Sequence, residues 1–90
     1  QYTYTTIISK KDSTFYAKIP DIDSCITTGK SLQEAISQIT DALNLCLTVL
    51  EDEGVVPKRP TPKIDFPHLT TDILVSIRAD TDEYRKAHIA

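Results

Sequence analysis

The side chains best placed by type and spacing to do chemistry are two carboxylates, Asp21 and Asp23, one residue apart just after Pro20. Clustered carboxylate oxygens are what a hard divalent cation needs, and a helix carboxylate could complete such a set. The spacing matches no calcium loop, however, and Asp-x-Asp beside a proline describes a turn equally well. Of the two histidines, His68 falls in a proline-rich stretch and His88 near the end of the chain, and both read as exposed residues, not general bases. Serines and threonines are plentiful, yet none sits in a nucleophile elbow. Cys25 and Cys46 fall in an expected strand and on the apolar face of an expected helix, which reads as two buried free thiols in a reducing cytoplasm; a disulfide or reactive pair is the alternative. The chain therefore reads as a binding module and not an enzyme, with no metal or cofactor assigned. A metal-dependent nuclease using Asp21 and Asp23 is the catalytic alternative.

The elements that must position these residues are legible from local pattern. Tyr2 to Ser9 is rich in tyrosine, threonine and isoleucine, which suit a pleated, half-buried surface. Lys10 to Ser13 is a polar turn, and Thr14 to Ile19 alternates Phe15, Ala17 and Ile19 against Tyr16 and Lys18, giving a hairpin. Pro20 lacks an amide proton and ends the ladder. Cys25 to Thr28 continues the meander as a third strand until Gly29 breaks it. Ser31 and Glu34 form a capping box, and behind them Leu32, Ala35, Ile36, Ile39, Leu43, Cys46, Leu47 and Leu50 recur at helical spacing on one stripe. Glu51, Asp52 and Glu53 place three acids in the last turn, which the helix dipole disfavours, and Gly54 is a natural stop. Residues 55–67 hold four of the five prolines and read as an extended linker. Thr71 to Ile77 is a further strand, and residues 80–88, acids first and cations last, a short helix. The expected fold is α+β: an antiparallel meander packed on one long amphipathic helix, in the order β-β-β-α-β-α, as a single domain over residues 1–90.

Composition narrows the function classes. Ninety residues, 40% apolar and 26% charged, make one small globular domain and are too apolar for a disordered chain. A net charge of -3 argues against a self-sufficient nucleic-acid binder. No apolar run approaches a membrane span and no secretory leader is evident, so a cytoplasmic location is expected. The charge is uneven: residues 31–56 carry Glu34, Asp41, Glu51, Asp52 and Glu53 with no lysine or arginine. This reads either as a solvated helix face or as an acidic surface that meets a basic partner.

In order and spacing the chain resembles the HicB antitoxins, small proteins that neutralise an RNA-cleaving HicA toxin. The family pattern is an aromatic-containing strand, then F/I-P-D-L-P-G-C, a short strand, G-D/K-S/T-L-E-E-A, and a long helix closed by glycine and prolines. Its counterparts are Phe15-Tyr16, Ile19-Pro20-Asp21-Ile22 with Cys25, Gly29 to Ala35, the helix through Leu50, and Gly54 with Pro57. The segment from Ile77 to Lys86, with Asp80, Asp82, Tyr84 and Arg85, is similar to the family's closing strand and D-x-x-x-Y-R ending. Asp23-Ser24 departs from the usual Pro-Gly, which bears on partner choice. Many HicB proteins continue into a DNA-binding domain where this chain ends, so the expectation is a trimmed or short form whose residues do not carry operator binding.

The resemblance implies a partial RNase H-like scaffold, a homodimer or higher oligomer, and a tight complex covering the toxin's active site. Acids would stand there in place of RNA phosphates. Tyr16, Asp21 and Asp23 are the partner-binding residues it suggests, with the helix carboxylates as a second set. The alternative function is a stand-alone regulatory or nucleic-acid-binding domain using the sheet as its platform.

Overall fold

The computed structural model describes residues 2–22, 25–61 and 72–88. Its elements are β1 (Tyr2–Lys11), β2 (Thr14–Lys18), β3 (Ile26–Gly29), α1 (Leu32–Asp52), β4 (Ile73–Ala79) and α2 (Thr81–His88). The strands form one antiparallel sheet in the order β3-β2-β1-β4. Alternation sends Tyr4, Thr6 and Ile8 of β1, with Ala17, Ile77 and Ala79, to the face that α1 covers, where Ala35, Ile39, Leu43 and Leu47 meet them. Each of the larger buried aliphatic side chains contributes about 1.5–3 kcal/mol.

The hairpin is tighter than the four-residue turn expected. Lys10 and Lys11 stay in the ladder opposite Phe15 and Thr14, leaving a two-residue turn at Asp12 and Ser13. Asp12 adopts φ 57°, a left-handed conformation that a short polar side chain tolerates. Lys10 can remain paired because its stem reaches across the sheet, with Nζ 5.5 Å from the Phe15 ring centre. Strand β3 begins at Ile26, not Cys25, because the Cys25 amide donates to the Ile22 carbonyl at 3.3 Å within the preceding turn. Strand β4 runs two residues beyond Ile77, where Ala79 pairs with Tyr2.

Both ends of α1 are fixed by local chemistry. Ser31 accepts from the Glu34 amide at 3.1 Å, while Glu34 reaches back to the Lys30 amide at 3.3 Å. At the other end the Val55 amide donates to the Leu50 carbonyl (2.9 Å) and the Gly54 amide to Glu51 (3.1 Å), with Gly54 at φ 73°. These paired bonds are a Schellman motif, and they fold Val55 back beside Leu50. Gly29 lets the strand approach the helix: a Cβ there would lie 2.5 Å from the Ala35 backbone nitrogen. Of the expected stripe, Ala35, Ile39, Leu43 and Leu47 are fully buried, whereas Leu32, Ile36, Cys46 and Leu50 are half-exposed. Thr48 is buried as well, because α2 crosses that side of α1 and Arg85 donates to the Thr48 carbonyl at 3.3 Å.

Candidate functional site

The turn Ile19-Pro20-Asp21-Ile22 brings the Ile22 amide 3.1 Å from the Ile19 carbonyl and swings the Asp21 side chain inward. Its carboxylate is 2% exposed and lies 3.0 Å from Lys58 Nζ. It also accepts from the Thr61 amide at 2.6 Å and the Thr61 hydroxyl at 2.7 Å. Burial alone would raise its pKa, but these donors outweigh it and hold the carboxyl below the usual range. Tyr4 secures the same segment from below by donating its hydroxyl to the Lys58 carbonyl. Asp21 is therefore a fastening for the chain after α1, a role that its place in a turn did not announce.

That fastened segment forms one wall of a groove whose other wall is the second half of α1. The groove encloses about 520 Å³, with Leu45, Cys46, Val49, Leu50, Val55 and Val56 supplying most of the apolar lining and Asp21 and Lys58 its charged groups. Several of its large aliphatic side chains are open to solvent: Leu45 is 53%, Val49 44% and Val56 87% exposed. Leu45 and Val49 are one turn apart and lie off the buried stripe, so the sheet cannot cover them. An aliphatic pair at i, i+4 outside the core stripe is the sequence signal that could have revealed this surface.

Tyr16 lies elsewhere. It alternates with buried Ala17 on β2, so its ring stands on the sheet face turned away from α1, 44% exposed. The structure thus does not bring Tyr16 and Asp21 together. Asp23 and His68 lie outside the described residues, as does the second part of the expected linker, 62–67. Val55–Thr61 has no helix or strand. Among the described residues no three His, Cys, Asp or Glu side chains gather into a metal site, and no helix is long and apolar enough to cross a membrane. Cys25 and Cys46 are free thiols; burial, and then the neighbouring Cys46 thiol, push Cys25 up to about 12.

The helix carboxylates divide into two groups. Glu51 is bound internally: Tyr2 donates to it at 2.6 Å, Thr81 at 3.0 Å and Arg85 at 3.2 Å. Arg85 also lies 2.9 Å from Asp52, whose side chain stays 61% exposed. Asp41 and Glu53 are exposed. The outward side of α1 thus presents Leu45 and Val49 with Asp41 one turn before them and Asp52 after them.

No family model matches the chain. The UPF0150 protein ssr1765 of Synechocystis sp. is 32% identical over 75 residues, which span 82% of this chain and 90% of that protein. Among solved structures, a chain of the HicA3 and HicB3 toxin-antitoxin complex superposes with a TM-score of 0.68 at 27% identity, covering 87% of this chain and 98% of that one. The Burkholderia pseudomallei antitoxin HicB gives 0.78 at 18% identity, over 89% of this chain and 63% of that one, a likeness of fold. By its sequence the chain belongs to the UPF0150 family, and by its fold it is HicB-like.

Proposed function

We propose that this chain acts as an antitoxin: it binds a HicA-like, mRNA-cleaving toxin and silences it by covering the toxin's RNA-binding and active-site surface. The observation that carries the reading is the likeness to a nearly complete chain of the HicA3 and HicB3 toxin-antitoxin complex, at 27% identity and a TM-score of 0.68. The role is binding, on a scaffold of partial RNase H-like type, in the cytoplasm and as a homodimer or higher oligomer. Tyr16 and the loop bearing Asp21 and Asp23 remain the contacts suggested by family resemblance. Asp21 would serve by setting the shape of that loop, since its own carboxylate is committed to Lys58 and Thr61.

The test is co-expression with the small basic protein encoded beside this gene. Rescue of growth with co-elution of the two proteins is the expected result. A harmless or non-binding neighbour overturns the antitoxin reading. Binding to heparin at low salt, released steeply as salt rises, would instead favour a nucleic-acid-binding module.

A further inference from the structure

Two sides of α1 are occupied. The sheet covers Ala35, Ile39, Leu43 and Leu47, and α2 covers the side of Thr48 and Glu51 through Arg85. The third side carries Leu45 and Val49, which continue into Val55 and Val56 across the groove. Exposed aliphatic side chains gathered around one concavity, instead of scattered singly, mark a surface that another molecule covers.

Charge decides what that molecule is. α1 contains no lysine or arginine, and its outward side sets Asp41 before the aliphatic pair and Asp52 after it, with Glu53 at the helix end. The groove's own cation, Lys58, is held by Asp21 at 3.0 Å. Asp52 is likewise paired, with Arg85 at 2.9 Å, so the acids left to a partner are Asp41 and Glu53. A second copy docking α1 on α1 across a two-fold axis would oppose Asp41 to Glu53 if the helices ran antiparallel, or each to its own counterpart if they ran parallel. Either arrangement sets acid against acid around an apolar centre, which costs affinity. An occupant that brings cations to both ends and an apolar side chain to the middle relieves this. A protein that handles RNA has such cations, because phosphate binding requires them.

We infer that the groove between the second half of α1 and residues 55–58 is the docking surface for the basic toxin. It takes an aliphatic or aromatic side chain of the toxin between Leu45, Val49 and Val56, while Asp41 and Glu53 pair with flanking lysines or arginines. The assignment rests on the antitoxin reading and adds the surface through which it operates.

The test is titration calorimetry of the purified adjacent-gene toxin against three forms of this protein: wild type, the double variant Leu45→Arg with Val49→Arg, and Ser13→Arg in the exposed turn between β1 and β2. The substituted side chains are solvent-exposed, and circular dichroism checks that each variant is folded. The expected result is about a 100-fold loss of affinity for the groove variant, the size typical of a central anchor, with Ser13→Arg within about threefold of wild type. A folded groove variant that binds within about threefold of wild type overturns the groove assignment whatever Ser13→Arg does, and leaves the antitoxin reading standing. A wild-type protein that does not bind the toxin overturns both. A further arm, Asp41→Lys, is expected to slow association and flatten its salt dependence; an unchanged association rate removes Asp41 from the contact.

Discussion

Asp21 accepts two hydrogen bonds from Thr61, forty residues later, through the Thr61 amide at 2.6 Å and its hydroxyl at 2.7 Å. With Lys58 beside it, the carboxylate turns the chain after α1 from a free connection into a groove wall. Asp21→Asn keeps the volume and removes the charge. It is expected to lower stability in urea denaturation by about 1–3 kcal/mol, the range for hydrogen bonds to a charged group. Amide exchange at Thr61 should quicken at the same time. Asp21→Lys would place a cation against Lys58 in a buried position, so that substitution tests folding and not partner contact.

Stability should depend on pH at both extremes. Asp21 and Glu51 are held below the ordinary carboxyl values of 3.8 and 4.5, Asp21 by its donors against the opposing effect of burial and Glu51 first by the Tyr2 hydrogen bond. Their contribution is present above those values and lost as pH falls through the folded pKa. Tyr2 is raised by its bond to Glu51 from 10.0 to about 12, and Cys25 by burial from 9.0 to about 12. Raised groups stabilise below the unfolded value, and that contribution disappears as pH climbs toward 12. The melting temperature should therefore be level between about pH 5 and 9 and fall on either side. Tyr2→Phe should blunt part of the alkaline fall and lower neutral-pH stability by about 1 kcal/mol.

The two thiols should differ in reactivity. Cys46 lines the groove and is half-exposed, whereas Cys25 is 1% exposed and stays protonated far above neutrality. With a thiol reagent at pH 8, one equivalent is expected to react promptly and the second only on unfolding. Prompt labelling of Cys25, read by peptide mass, would contradict this burial. Cys25→Ser should leave the fast phase intact.

Gly29→Ala should destabilise where the strand meets the first turn of α1. The new methyl would meet the Ala35 backbone nitrogen at 2.5 Å, and backbone cannot swing aside as a flexible side chain can. Thermal or urea unfolding should show a loss of about 1–3 kcal/mol, the usual cost of overpacking. Ser31→Ala, removing the acceptor for the Glu34 amide, should cost about 1 kcal/mol.

What could be read from the sequence is what neighbours in sequence decide. Ser31, Glu34 and Gly54 mark the ends of α1 through bonds to residues no more than four positions away, so pattern sufficed there. The acids at Glu51 and Asp52 looked unfavourable for the same local reason. Their partners, Tyr2, Thr81 and Arg85, come from β1 and α2, and only the fold brings them close. Asp21 is the same case: its spacing announces a turn but not that Thr61 returns to it. Leu45 and Val49 escaped because the periodic stripe explains the core, and two aliphatic residues off it pass for ordinary surface.

The pairing of Tyr2 with Ala79 has a consequence for how the protein is made. Strand β1 occupies an inner position in the sheet, yet its β4 neighbour follows the hairpin, β3 and α1 along the chain. During translation the hairpin, β3 and α1 can assemble while one edge of β1 still lacks its strand. That edge is a template for any extended segment nearby until residue 79 emerges. Joining β4 to β1 closes the longest loop among the described strand pairings, so docking of β4 should be a late and slow folding event.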